Sequence, residues 1–286
     1  MLKNVNNYHY PGSLDEALSL HNRESRSFFI AGGTALALSD SSRPTELIDV
    51  RRLGLDELKL DRDRGELTVG ATTSIQRIVE SEAARNVLGG FLSESLEEIG
   101  SYPVRNAGSL GGSLVRPFPW SDVLPVLSVF DTSVTYYHNG EEGKRNFGNL
   151  YDSDFRSTLN DSVIKKITID LPDEENSAAS FNKFNRSEFD VAALNLACRI
   201  TQQNGKVKEA RLAVGARPMK ARRAREVEEE LAGEGLGSDV AREAGRMAAG
   251  NLELNGDKKI SGEYRETLVE KMVTEAIKQI TEEVSN

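Results

Sequence analysis

The chain has 286 residues and a formal charge of −9, with 38% hydrophobic and 28% charged residues. That length can bury a sizeable core in two or three domains, and the composition is that of a globular chain. The acidic balance argues against nucleic acid, whose binding needs clustered Lys and Arg, and no apolar run approaches the roughly 20 residues of a membrane helix.

The single cysteine, Cys198, excludes an internal disulfide and a four-cysteine iron–sulfur cluster. It lies in an apolar run, 191–200, where a small buried hydrophobe is the expected role. His9, His21 and His138 are scattered, so no zinc constellation is visible. Residues 1–10 lack the apolar core of a signal peptide, and a cytoplasmic location is expected.

In chain order, Ser13 and Glu16 have capping-box spacing and open a helix with Leu14, Ala17 and Leu18 on one face. A strand is expected over 27–30, running into a glycine turn, and a second over 45–50. A third spans 66–71. Thr73 and Gln76 then form a capping box for a helix reaching Ala84. Phe91, Leu92, Leu96 and Ile99 give a helical stripe stopped by Gly100. Beyond a second glycine turn, 123–130 reads as a short buried helix. Strands at 133–138 and 144–147 flank the Asn139-Gly140 hairpin signal, and 163–171 is a strand ended by Pro172.

A polar stretch, 173–177, marks a boundary. After it, strands over 190–201 and 206–216 meet at Asn204-Gly205. Three helices follow, marked by Ala221, Ala224, Val227 and Leu231, then Val240, Ala244, Met247 and Ala248, then Tyr264, Leu268, Met272, Ala276 and Ile280. The mixed charges over 222–230 read as a solvated helix face.

Two stretches stand out: Phe28-Phe29-Ile30-Ala31-Gly32-Gly33-Thr34, and Arg105-Asn106-Ala107-Gly108-Ser109-Leu110-Gly111-Gly112-Ser113, followed at a distance by Ser121-Asp122. Paired glycines let a backbone approach a ligand closely, and consecutive N–H groups with nearby hydroxyls can hold an anion. Either pair alone reads most simply as a tight turn. Neither is a G-x-G-x-x-G opening a helix, which argues against a Rossmann dinucleotide site.

Together the stretches resemble the FAD-binding (medium) subunit of the molybdenum hydroxylases, the group of xanthine dehydrogenases and carbon monoxide dehydrogenases. Leu47-Ile48-Asp49-Val50, Gly70-Ala71-Thr72-Thr73, Ile99-Gly100-Ser101, Phe181-Asn182-Lys183-Phe184 and Ser261-Gly262-Glu263-Tyr264-Arg265 extend the resemblance over nearly the whole chain. It implies an α+β fold: a two-part FAD-binding region of the vanillyl-alcohol-oxidase-like (PCMH) type, then a C-terminal hairpin-plus-helices domain of the CO dehydrogenase flavoprotein type. The expected domains are 1–53, 54–176 and 177–286.

The resemblance also implies a cofactor and its residues. FAD would be held by Phe29, Ile30, Ala31, Gly32, Gly33, Thr34 and Ala35 in the first stretch. Asn106, Ser109, Leu110, Gly111, Gly112 and Ser113 would hold it in the second. Ile99, Asp122, Lys166 and Lys183 complete the set, with Asp122 away from the flavin ring and Lys183 near it. Donors from two domains would place FAD in the cleft between them. Read without the resemblance, Asp122 is a helix N-cap, Lys183 a surface lysine and Ile99 a core residue.

Departures accompany the likeness. Ala35 stands where the family has Asp, Ser113 where it has Asn, and Ser101-Tyr102-Pro103-Val104 replaces Ser-Pro-Gln. Arg116-Pro117-Phe118-Pro119-Trp120 replaces a segment of small residues with one proline. No nucleophile–base pair emerges, which suits a chain that positions a flavin. The implied function is electron transfer, xanthine dehydrogenase-like in the favoured version. Electrons pass from a [2Fe–2S] subunit, fed by a molybdopterin subunit, through FAD to NAD⁺ or another acceptor. A carbon monoxide dehydrogenase subunit, a stand-alone flavin oxidoreductase and a non-catalytic assembly subunit without FAD are the alternatives.

Overall fold

The computed structural model describes residues 5–23, 26–37, 45–151, 153–257 and 260–285; part of the N-terminal segment read above, residues 1–4, lies outside them. In chain order the elements are β1 (Asn7–His9), α1 (Leu14–Arg23), β2 (Ser27–Ile30), α2 (Thr34–Ala37), β3 (Glu46–Asp49), β4 (Leu58–Asp61), β5 (Glu66–Gly70), α3 (Ile75–Glu80), α4 (Glu82–Arg85) and α5 (Phe91–Glu97). They continue with α6 (Tyr102–Ala107), α7 (Leu110–Val115), α8 (Val123–Ser128), β6 (Asp131–His138), β7 (Glu141–Asn146), α9 (Ser153–Asn160) and β8 (Val163–Asp170). The chain closes with β9 (Ser177–Phe184), β10 (Leu194–Gln203), β11 (Lys206–Ala216), β12 (Met219–Arg223), α10 (Arg225–Leu231), α11 (Ser238–Asn251) and α12 (Gly262–Ser285). The fold is α+β, as expected.

The chain groups into two compact units. One comprises Met1–Ile78, Ser101–Arg116 and Thr132–Asp170; the other comprises Val79–Gly100, Pro117–Asp131 and Leu171–Asn286.

The first unit holds two sheets. In the smaller, β3 lies between β1 and β2 and pairs parallel with both. Helix α1 turns Ala17 and Leu18 onto Ile48, Val50, Leu55 and Val163. Ser13 caps it, accepting from the Glu16 N–H at 3.1 Å, while the Glu16 carboxylate reaches back to the Gly12 N–H at 2.7 Å. The larger sheet has the order β4-β5-β8-β6-β7, with Leu67, Val69, Ile167 and Ile169 buried.

In the second unit a four-stranded antiparallel sheet runs β12-β11-β10-β9. Alternation decides what each face carries, because successive side chains of a strand point to opposite sides. On β10, Leu194, Leu196, Cys198 and Ile200 join Ala244, Ala248, Val269, Val273 and Ile277 of α11 and α12 in one apolar core. The intervening Asn195 and Arg199 bond instead to Asp122 and the Val129 carbonyl, at the two ends of α8. Cys198 is buried as expected, and burial pushes its thiol up to about 12.

Several local expectations need correcting. The helix expected to reach Ala84 breaks at Ser81, whose hydroxyl caps α4 by accepting the Ala84 N–H. Thr73 does not cap α3: its hydroxyl donates to the Glu57 carbonyl, and Ser74 accepts the Arg77 N–H instead. Ala221 lies on β12, and the helix it was expected to begin starts at Arg225. Residues 190–193, assigned to a strand, precede β10 as loop. Gly111 and Gly112 lie in the first turn of α7 rather than in an open loop.

Candidate functional site

In the first unit the strand β2 delivers Phe29, Ile30 and Ala31 to the first glycine pair. Gly33 has φ +71°, a backbone angle that a side chain disfavours, and it turns the chain into α2, whose first bond is Ala37 N–H to Gly33 carbonyl at 2.9 Å. The N–H groups opening such a helix have no intrahelical acceptor. Thr34 and Ala35 stand at that opening, half-buried.

The second glycine stretch packs directly on the first. A Cβ on Gly32 would sit 1.5 Å from the Ala107 carbonyl oxygen, and one on Gly108 would meet the Thr34 hydroxyl at 3.5 Å. Glycine at position 32 is therefore the condition for the two stretches to touch. On its other side the second stretch is tied to residues 71–75. Gly111 N–H donates to the Ala71 carbonyl at 3.0 Å, Leu110 N–H to the Thr73 carbonyl at 3.1 Å, and Ile75 N–H to the Gly108 carbonyl at 2.9 Å. A Cβ on Gly111 would lie 2.7 Å from the Ala71 Cβ.

Further bonds within the second stretch occupy several of its donors. Ser109 is the N-cap of α7 and accepts the Gly112 N–H at 3.2 Å, while the Ser113 hydroxyl donates to the Ser109 carbonyl at 3.2 Å. Its N–H groups at 110, 111 and 112 are thus engaged within the protein. What it offers outward is a smooth surface at Gly112, which is exposed. Asn106 is exposed beside it, Leu110 is buried, and Lys166 is half-exposed on β8 opposite Gly70.

A side-chain-free ledge beside the opening of a helix is a shape that a pyrophosphate fits. Half-buried Ile30 lies against the turn, where a Cβ on Gly33 would meet its Cδ1 at 3.1 Å, while Phe29, on the other face of β2, packs onto the α1 core and the His21 ring at 4.6 Å. The replaced residues of α6 point outward: Tyr102 and Val104 are 54% and 45% exposed. Arg105 is buried, its Nε donating to Gln76 Oε1 at 2.8 Å.

The remaining expected residues lie in the second unit. Asp122 occupies the N-cap position of α8 but makes no capping bond with its side chain. Its Oδ2 instead accepts from Lys183 Nζ at 2.9 Å, and its Oδ1 from Asn195 Nδ2 at 2.6 Å. Lys183 also donates to the Glu98 carbonyl at 2.6 Å. The side chains of Lys183 and Asp122 are only 4% and 6% exposed, so Lys183 is not a surface lysine. Burial pushes the Asp122 carboxyl above its ordinary value, and Lys183 and then Asn195 pull it back only in part. Ile99 is half-buried just beyond α5. In the replaced loop, the Phe118 and Trp120 rings stack at 4.7 Å and 7°.

Sequence reading missed Asn195. Its signal was a lone amide at a regularly spaced position of an apolar strand, between Leu194 and Leu196.

Among the described residues no group of His, Cys, Asp and Glu could hold a metal ion, and no helix is long and apolar enough to cross a membrane.

Comparison with known proteins covers nearly the whole chain. Residues 3–172 match the family described as the FAD binding domain in molybdopterin dehydrogenase, and residues 179–280 match the CO dehydrogenase flavoprotein C-terminal domain. The glyceraldehyde dehydrogenase medium chain of Sulfolobus acidocaldarius is 24% identical, covering 94% of this chain and 95% of that one. The nicotine 6-hydroxylase medium subunit of Paenarthrobacter nicotinovorans is 26% identical, covering 94% and 95%. A chain of carbon monoxide dehydrogenase from Hydrogenophaga pseudoflava shares the fold with a TM-score of 0.89 at 22% identity, covering 98% of both chains.

Proposed function

Since this chain belongs to the FAD-binding domain family of the molybdopterin dehydrogenases, we propose that it is the electron-relay flavoprotein of a multi-subunit hydroxylase. It is an FAD-binding oxidoreductase subunit of the molybdenum hydroxylase family. In the proposed complex a molybdopterin subunit oxidises the substrate and a [2Fe–2S] subunit passes the electrons on. FAD supplies the electron-accepting and electron-releasing chemistry when bound. The acceptor we propose is NAD⁺ or another electron acceptor.

The observation that carries this reading is the contact between the glycine stretches of the first unit. Gly33, Thr34 and Ala35 would offer backbone donors to the pyrophosphate. Gly112 would give it clearance and Ile30 an apolar wall, with Phe29 supporting β2 from the α1 side. Ala31, Gly32, Asn106, Ser109, Leu110, Gly111, Ser113 and Lys166 would support or flank that ledge. Ile99, Asp122 and Lys183 join the proposed set on the family resemblance, with Lys183 toward the flavin ring. The Ser113 hydroxyl, which donates to the Ser109 carbonyl, and the buried Ser109 hydroxyl, which accepts the Gly112 N–H, would shape the ledge.

Two facts favour a relay over a self-sufficient oxidase. A chain with one buried cysteine cannot ligate an iron–sulfur cluster. Its relatives carry the names medium chain and medium subunit, which are parts of larger enzymes. The substrate of the complex, whether purine, aldehyde, N-heterocycle or carbon monoxide, would then be chosen by the molybdenum subunit.

The test is flavin retention. Gly112→Val places a branched side chain on the exposed ledge, its Cβ meeting only the Ser109 hydroxyl at 3.0 Å. It should purify folded and nearly free of FAD. Stoichiometric flavin in the folded variant would move the phosphate site elsewhere.

A further inference from the structure

Three residues in register cross the sheet of the second unit: Lys183 on β9 lies opposite Asn195 on β10, which lies opposite Gly215 on β11. Directly opposed residues share a face, and this face carries Asp122. Asn195 is fully buried. Its Nδ2 donates to Asp122 Oδ1 at 2.6 Å and to the Ser121 carbonyl at 3.3 Å. Its Oδ1 has no hydrogen-bond partner. An orphaned buried acceptor costs free energy, so the amide is held there by what its nitrogen does.

The glycine explains how. A Cβ at position 215 would lie 2.2 Å from Asn195 Oδ1, so the amide occupies the space that any other residue there would fill. Turning the amide over would put its oxygen against the Asp122 carboxylate. The orientation is therefore set by the charge on Asp122.

We propose that Asn195 is a positioning residue: its amide fixes the Asp122 carboxylate with one oxygen turned to Lys183 and keeps that pair charged, and Gly215 is the clearance that permits it. The consequence for FAD rests on the reading of Asp122 and Lys183 given above; the consequence for the pair itself does not. The groups acting on Asp122 are Lys183 from β9, Asn195 from β10 and the Glu98 carboxylate beyond α5, which opposes its ionisation.

The titration of Asp122 in the intact chain decides this, followed by carboxyl carbon NMR and assigned with Asp122→Asn. Asn195→Leu removes the amide at similar volume. Gly215→Ala leaves the amide but displaces it. Each should lower the ionised-to-protonated ratio of Asp122 about tenfold at a fixed pH. In the Asn195→Ala background, Gly215→Ala should cost far less stability than in the parent, because the Oδ1 collision is gone and only the Ala221 Cβ at 3.3 Å remains close.

An unchanged titration in a folded Asn195→Leu chain overturns the proposal and leaves Asn195 as a core residue. Where Asn195→Leu does not fold, Asn195→Ser withdraws the amide without adding an apolar group and is read in the same way. FAD affinity separates the two layers. If Asp122→Asn binds FAD unchanged while the titration shifts as expected, the FAD role of Asp122 falls and the positioning role stands. If Asp122→Asn weakens FAD while Asn195→Leu shifts nothing, the positioning role falls.

Discussion

At the scale of single residues, burial decides what the two most informative charges do. Lys183 and Asp122 are both almost fully enclosed, and removing one partner of a buried ion pair strands the other. Lys183→Met should therefore lose about 3–5 kcal/mol, read from its urea midpoint. Asp122→Asn combined with Lys183→Met should recover most of that loss, since no charge is left buried. A single variant as stable as the parent would contradict the enclosure of the pair. The same logic separates the two glycines. Gly111→Val drives a side chain into Ala71 and should destabilise the chain, whereas Gly112→Val should leave melting nearly unchanged. Equal melting temperatures for the two variants would contradict the packing described.

At the scale of elements, α8 and the β-sheet of the second unit are tied by charges at their edges. Arg211 reaches the Asp131 carboxylate with two bonds of 2.9 and 2.7 Å, and Arg199 bonds to Glu209 at 2.7 Å and to the Val129 carbonyl. The Arg211 guanidinium holds the Asp131 carboxyl below the ordinary carboxylate range. Glu209 is also held low: burial pushes it up, but Arg199 and Arg211 outweigh that. A carboxyl depressed in the folded state stabilises fully above its unfolded value near 4, and that stabilisation is lost as pH falls through the folded value. Urea midpoints should thus decline between about pH 5 and 3, and Arg211→Met should flatten the decline. Both carboxylates are partly exposed, so the pair contributes only about 1 kcal/mol. A decline of unchanged steepness in Arg211→Met would sink this assignment.

Elements were legible in the sequence where periodicity was strong. The stripe from Phe91 to Leu96 and the Asn204-Gly205 hairpin are examples, because each depends on local spacing alone. Strands β1, β4 and β12 were not: each has only three to five residues, too few for alternation to show, and of the three only β1 has a partner distant in sequence, β3. The break at Ser81 was hidden for a related reason, since a hydroxyl inside an apolar-periodic run reads as tolerated until it is seen to cap. For the site, the glycine stretches announced themselves, but their donor bookkeeping did not. Only the pairing with residues 71–75 reveals that the N–H groups of Leu110 and Gly111 are taken.

For the whole molecule, the central claim is that this chain holds FAD and relays electrons without oxidising a hydroxylase substrate itself. The alternatives make different demands. A stand-alone flavin oxidoreductase needs its own acid–base machinery beside the flavin, and an assembly subunit needs no flavin at all. Anaerobic stopped-flow on the purified, FAD-loaded chain distinguishes them, with flavin absorbance followed after mixing with a purine, an aldehyde, an N-heterocycle or carbon monoxide. The account predicts that the absorbance stays constant until a [2Fe–2S] subunit and a molybdopterin subunit are both added. Fast bleaching by such a substrate with no partner present would contradict the relay and make this chain an oxidoreductase in its own right.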